Sequence, residues 1–205
     1  MGMSEFRRPQ QQRSQKTYDA LLDAAAELLE EVGIERISSN LVCERAGMTP
    51  PAFYRYFDDK YALLAALVDR LMDGQEALFA RWLEGTRGVD IDTLARMTAE
   101  LASAAAGLRN DQPGAIWILR ALRAVPRLSE LRLQAHDVTT QAITDLYVER
   151  LPHVPRERIM RRVRLGVEIG YGVDEMTRET NLSRAEVFED LVHLFVSMAH
   201  YPDYA

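Results

Sequence analysis

Apolar positions recur at helical spacing along the whole chain, and strand-like alternation is missing. From Thr17 to Val32, the residues Leu21, Ala25, Leu28, Leu29 and Val32 share one face. Gly33 follows as a helix stop, with Ile34 as the apolar residue just beyond. Ser38, Ser39 and Asn40 are N-cap types ahead of a short helix from Leu41 to Ala46, which Gly47 ends. Thr49 is placed to cap a third helix, with Pro50 at its first position where no N–H is needed, ending near Phe57. The pattern then predicts one long helix from Lys60 to about Trp82, broken by Gly85 and Gly88. Further helices are expected near 90–109, 113–125, 128–151, 156–179 and 183–200, separated by Gln112-Pro113-Gly114, Pro126, Pro152 to Pro155, and Asn181-Leu182-Ser183. The style changes at about residue 60, from short helices to long ones. The expected fold is all-α, with a helix-turn-helix domain over 1–60 and a second α-helical domain over 61–205.

Composition narrows the classes. The chain has 205 residues, 47% hydrophobic and 27% charged, enough for a buried core and far from the composition of a disordered chain. Its longest apolar run, Ala62 to Val68, is seven residues, whereas a membrane-spanning helix needs about 20. Arg7 and Arg8 are followed by no apolar stretch, so no secretory signal is expected. One cysteine excludes an internal disulfide and a Cys-rich metal site, and the expected compartment is the cytoplasm. The net charge is −6, and only Lys16 and Lys60 among the 25 basic residues are lysines. The first sixteen residues nonetheless hold Arg7, Arg8, Arg13 and Lys16 against Glu5 alone. Such a basic arm on an acidic protein suits nucleic acid, or serves as a solubilising tail.

The third helix carries the most chemistry. Phe53 and Phe57, at i and i+4, are placed to anchor it on the first two helices. Pro51 and Arg55 then lie roughly opposite, with Ala52 and Tyr54 on the flanks. A helix this short fits a major groove about 12 Å wide, and its mixture of apolar residues, phenol and guanidinium suits thymine methyls and phosphates.

The stretch from Thr17 to Leu64 resembles the DNA-binding domain of the TetR family of bacterial transcription regulators. Glu44-Arg45-Ala46-Gly47-Met48-Thr49 matches the end of that family's second helix and its turn. Pro50 to Leu64, with Phe53-Tyr54-Arg55-Tyr56-Phe57 and Lys60, matches its recognition helix and the start of its fourth helix. Ser39-Asn40-Leu41-Val42 resembles a subgroup with Thr-Asn-Leu-Ile there. The resemblance implies DNA contacts from Thr17, Ser39, Thr49, Tyr54, Tyr56 and Lys60, with Pro50, Pro51, Ala52 and Arg55 on the reading face. Many members have Lys-Gly where this chain has Pro50-Pro51. Two prolines remove two backbone donors, so anion binding at that helix end should weaken and apolar readout should strengthen. No Gln or Asn lies between Pro50 and Tyr56, which leaves Asn40 as the nearest source of a bidentate adenine contact.

The resemblance further implies a homodimer on a pseudo-palindromic double-stranded operator, released by a small, largely apolar effector. Trp82, Met97, Leu101, Trp117, Arg120, Tyr147, Glu168 and Tyr171 are the candidate effector contacts. Glu168 and Tyr171, with Glu175, form either a polar pocket wall or a solvated face. Val187, Leu191, Leu194 and Met198 make one apolar stripe on the last helix, and Phe188, Val192, Phe195 and Ala199 a second. With Gly166 and Gly170 on the helix before, that wide arc predicts a dimer seam containing Gly166, Gly170, Leu191, Phe195 and Met198.

Catalytic constellations are missing from the sequence. Asp190-x-x-His193 occurs once, whereas a di-iron bundle repeats Glu-x-x-His. His136, His153 and His200 lack ligand spacing, and Cys43 has little but Arg45 to activate it. The expected protein is not an enzyme and carries no cofactor or metal. It is a one-component transcriptional regulator, a repressor, with a helical ligand- or partner-binding module without DNA binding as the alternative.

Overall fold

A computed structural model describes residues 11–110 and 112–200. The described residues form ten helices: α1 (Gln12–Arg36), α2 (Ser39–Arg45), α3 (Pro50–Tyr54), α4 (Lys60–Leu71), α5 (Gln75–Gly85), α6 (Ile91–Asn110), α7 (Ala115–Ala124), α8 (Pro126–Arg150), α9 (Arg156–Glu179) and α10 (Arg184–Ala199). Of the basic arm expected at 1–16, Arg7 and Arg8 lie outside the described residues, while Arg13 and Lys16 stand on α1. That helix starts earlier than its apolar stripe because polar i,i+4 pairs extend it: Gln15 Nε2 donates to Asp19 at 2.9 Å. Gly33 breaks it, with φ +73° and ψ 175°, a conformation essentially confined to glycine.

The single helix expected from Lys60 to Trp82 is two helices. Gly74, at φ +83°, turns the chain between α4 and α5. The Met72-Asp73-Gly74 stretch has ordinary helix formers on both sides, so periodicity runs across the break and does not announce it.

The chain forms two compact units, and they do not divide at residue 60. Of the described residues, those up to 73 and from 109 to 132 make the first, and those from 74 to 108 and from 133 onward the second. In the first unit, α1 packs against α2, α4 and α7, and α4 packs against α7. Its core contains Leu21, Leu22, Leu28 and Leu29 of α1, Phe53 and Phe57, most of α4, and Ile118, Leu119 and Leu122 of α7. Apolar α4 needs this second partner, since Ala62 to Val68 are all buried. The N-terminus of α7 is seated tightly: Gly114 N–H donates to Glu30 Oε1 of α1 at 2.7 Å.

The second unit holds two separate apolar clusters. One joins Trp82 of α5, Leu94 of α6, Ile143 and Tyr147 of α8, Val154, and Ile159 of α9. The other joins Ala99 and Ala106 of α6 with Phe188, Leu191 and Phe195 of α10. This second cluster takes up two residues of the expected dimer seam within the single chain. Leu191 and Phe195 are 3% and 7% exposed in the single chain, covered by its own helices. The two glycines serve the same packing. A Cβ on Gly166 would meet the Phe195 ring at 3.4 Å, and one on Gly170 would meet Ala102 Cβ at 3.3 Å. Part of the wide apolar arc of α10 therefore packs within the same chain, against α6 and α9. Met198 is half-buried beside this cluster. The large apolar residues that α9 and α10 leave exposed are Met160, Leu165, Met176 and Leu194.

The tight seat of α7 is testable with two glycines. A Cβ on Gly114, at φ +71°, would lie 2.8 Å from the Ala26 carbonyl oxygen. Gly114→Ala should cost about 3 kcal/mol, combining backbone strain with overpacking against rigid main chain. Gly107 lies inside α6, and a Cβ added there would meet nothing within 4 Å. Gly107→Ala should therefore gain stability, by up to about 1 kcal/mol from helix propensity. Urea denaturation of both variants checks the contrast.

Candidate nucleic-acid interface

The helix-turn-helix is built by ordinary capping. Ser38 Oγ accepts from Leu41 N at 3.3 Å and starts α2. Gly47, at φ +64°, ends it, with Met48 N donating back to the Cys43 carbonyl at 2.8 Å. Thr49 is the N-cap of α3, and its side chain makes no capping bond. Pro50 and Pro51 carry no N–H. The next two backbone donors, Ala52 N and Phe53 N, both point to the Thr49 carbonyl, at 2.9 and 3.4 Å. The start of α3 thus has no spare backbone donor among its first four residues, and a phosphate there must be held by side chains.

Aromatic packing sets which face of α3 points outward. Phe53 and Phe57 are fully buried, with Phe57 5.2 Å from the ring of Tyr18 on α1 and 5.5 Å from Phe53. Tyr54, next to this anchor, is left 54% exposed. Its ring meets the edge of Phe53, and its hydroxyl lies 3.3 Å from Ser39 Oγ of α2. Pro50, Pro51 and Arg55 are exposed and Ala52 is half-buried. Asn40 is exposed on α2, while Thr17 is half-buried and donates its hydroxyl to the Arg13 carbonyl. Tyr56 is half-buried, edge-on to Tyr18 at 5.9 Å, with the Arg55 guanidinium 5.8 Å from its ring. Asp59 caps α4 through Ala62 N at 2.7 Å. Lys60 then starts that helix and donates to the Ile37 carbonyl at 3.2 Å, ahead of α2. The expected contact residues Ser39, Asn40, Thr49 to Ala52, Tyr54, Arg55 and Lys60 are thus gathered around α2, the turn and the start of α4.

The second helix is braced by a group that the motif does not announce. Arg45 of α2 reaches Glu31 of α1 at 2.5 and 2.8 Å and Glu27 at 3.1 Å. Its charge is engaged by the protein's own acids. The signal is present in Glu27 and Glu31 at i,i+4, but an acidic strip reads equally as a solvated face. Hydrogen bonding to Arg45 holds the Glu31 carboxyl below the usual carboxylate range, and burial pushes the Cys43 thiol up, away from thiolate reactivity.

The expected effector contacts fall in three places. Trp82, Met97, Leu101 and Tyr147 meet in one apolar cluster of the second unit, where Trp82 Nε1 donates to the Met97 carbonyl at 2.9 Å. Trp117 and Arg120 belong to the first unit, and the guanidinium lies 4.7 Å from the indole. Glu168 and Tyr171 meet His136, a residue without ligand spacing in the sequence. His136 Nδ1 is 2.9 Å from Glu168 Oε1, and its ring stacks on Tyr171 at 4.4 Å. Among the described residues, no group of three or more His, Cys, Asp or Glu is placed to hold a metal ion, and no helix is long and apolar enough to cross a membrane.

Comparison with known proteins bears on the same segment. Residues 21–67 match the family described as bacterial regulatory proteins, tetR family. The HTH-type transcriptional regulator UidR of Escherichia coli K12 is 30% identical over 118 residues, 52% of this chain and 59% of UidR. The matched stretch thus spans little more than half of that relative. The tetracycline repressor protein class C of Escherichia coli is 39% identical over 54 residues, 26% of this chain and 25% of the repressor. Among solved structures, a TetR-family transcriptional regulator from Syntrophomonas wolfei has a TM-score of 0.69 at 13% identity, covering 93% of this chain and 98% of its own. Another from Rhodococcus sp. has a TM-score of 0.66 at 18% identity, covering 90% of this chain and 99% of its own. At these identities the likeness is one of fold.

The brace has a pH signature. The folded Glu31 carboxyl titrates below its ordinary value of 4.5. Its stabilising effect is therefore complete above that pH and fades as the pH falls through the lowered value. Glu31→Gln should be less stable than wild type at neutral pH, and the gap should close in strong acid. Parallel urea titrations between neutral pH and about pH 3 measure this; a gap that is constant with pH would remove the carboxylate from the account.

Proposed function

Through residues 21–67 this chain belongs to the TetR family of bacterial regulatory proteins, and from that premise we propose that it is a cytoplasmic, homodimeric transcriptional repressor, released from its operator by a small, largely apolar effector. DNA contact is assigned to residues 1–60, effector binding and dimerisation to 61–205. The observation that carries the reading is α3 and the turn after it: Phe53 and Phe57 are pinned in the core while Pro50, Pro51, Tyr54 and Arg55 stand exposed. Such a face offers apolar contact to thymine methyls, and Thr49, Tyr56 and Lys60 offer donors to the flanking phosphates.

Two copies are needed because a five-residue recognition helix reads few base pairs. A two-fold pair of such helices about 34–36 Å apart reads a pseudo-palindrome. The apolar residues left open on α9 and α10, Met160, Leu165, Met176 and Leu194, support a seam made by these helices from each subunit, with Met198 at its margin. Relief of repression is a population shift: the effector favours a conformation whose recognition helices are wrongly spaced. The chain path suits such coupling. It passes from the second unit through α7, which is seated on α1, and back into the second unit through α8.

Three outcomes are expected. Lys60→Ala should lower operator affinity on all sequences and reduce the salt slope by about 1 per half-site. Tyr54→Ala should lose more on operator than on random DNA, and uracil in place of operator thymines should weaken wild-type binding by about 1 kcal/mol or more at contacted positions. Leu194→Asp should shift the protein toward monomer, which light scattering detects. A folded Tyr54→Ala, Lys60→Ala double variant that still shifts operator fully at physiological salt would end the DNA-binding assignment.

A further inference from the structure

In the second unit, α8 carries a buried polar strip that runs into the Trp82 cluster at Tyr147. His136, Thr140 and Thr144 follow one another at i, i+4 and i+8, and Tyr147 continues the same face; all four are buried. At one end, His136 meets Glu168 and Tyr171 of α9. At the other, burial pushes the Tyr147 phenol up, opposed by a hydrogen bond with Thr98 of α6. Thr144 donates its hydroxyl to the Thr140 carbonyl at 2.7 Å. Thr140, midway, is 4% exposed, and its Oγ1 has no hydrogen-bond partner. It does not even bond back to its own helix, as Thr144 does.

A buried hydroxyl without a partner is unfavourable, and a Val in its place would fill nearly the same space without that penalty. Two guanidiniums beside the strip, Arg164 and Arg150, are already engaged. Arg164 binds both Glu168 and Asp137. Arg150, at the Tyr147 end, donates to the carbonyls of Thr86, Val89 and Leu146. Neither guanidinium is left over for an anionic ligand, and Glu168 is already held by Arg164 and His136.

We propose that the Thr140 hydroxyl is the polar anchor of the effector site, and that the effector is a neutral, mainly apolar molecule with one hydroxyl or carbonyl group. The inference rests on the effector-responsive reading above and supplies its ligand chemistry. The hydroxyl of Thr140 donates to a ligand carbonyl or exchanges a bond with a ligand alcohol, while the Trp82 cluster receives the apolar part.

The test compares eight-carbon probes on the full-length protein by calorimetric titration: 1-octanol, 2-octanone, octanoate and octylamine. Wild type should bind the alcohol and the ketone about tenfold or more tightly than either ion, the ratio set by one buried hydrogen bond against a charge without a partner. Thr140→Val should lose about tenfold for the alcohol and ketone, with a melting temperature without ligand equal to or above wild type. Thr140→Ser should retain the preference. Preference for octanoate, equal alcohol binding by Thr140→Val, or no binding of any probe would each overturn the proposal. Operator binding without ligand is measured alongside. If DNA is bound and octanoate releases it, the regulator stands and the neutral-ligand inference falls; if DNA is not bound at all, the regulator reading itself falls.

Discussion

Burying α1 is the constraint on which the DNA-binding half depends. Tyr18, Leu21, Leu22, Leu28 and Leu29 are almost solvent-free, and a leucine buried this way contributes roughly 1.5–3 kcal/mol. One neighbouring helix cannot cover so wide a surface. It takes α2, α4 and α7 together with Phe53 and Phe57, and this requirement draws α7 into the first unit although it lies far along the chain. The remaining strip of α1 is acidic, and it fastens the covering helices in turn. Asp23 holds Arg70 of α4, Glu27 and Glu31 hold Arg45 of α2, and Glu30 caps α7. The orientation of α3 follows, because Phe53 within it and Phe57 just after it have one place to go.

The second unit answers a different problem. Its helices are long, but its apolar side chains are split between two clusters. Small residues bring the backbones together, as Gly166 does against Phe195. Polar groups fill the positions between, and most are tightly paired. Asp174, fully buried, takes Arg178 of its own helix and approaches Arg184 of α10 at 3.5 Å, while Arg178 also reaches the Ala106 carbonyl of α6. A buried carboxylate of this kind fixes geometry more than it adds stability.

Much of this was readable along the chain. Phe53 and Phe57 at i,i+4, the glycine at the turn, and Pro50 behind Thr49 are local features, and the structure keeps each in its expected role. Gly74 was legible only as a weak interruption, since Met72 and Asp73 continue the helical pattern without a break. The last two helices show where local pattern stops. Gly166, Gly170, Leu191 and Phe195 have the spacing of an interface, and sequence does not say whether the opposing surface belongs to the same chain or to a second one. The place of His136 is not legible, because a histidine at helical spacing from two threonines looks the same whether it faces water or a neighbouring helix.

The amino-acid sequence by itself determined the all-α character, the Gly33 and Gly47 stops and the aromatic anchor of the recognition helix, because those depend on interactions within a few residues. It also determined the loss of backbone donors at Pro50 and Pro51, a covalent fact. Only the tertiary structure decided that α7 folds with the first unit, that Phe195 is covered by its own chain, and that Glu168 faces His136 across 32 positions. Each of those outcomes turns on which of several equally apolar or equally charged surfaces meet, and that choice is made by three-dimensional packing and not by local pattern.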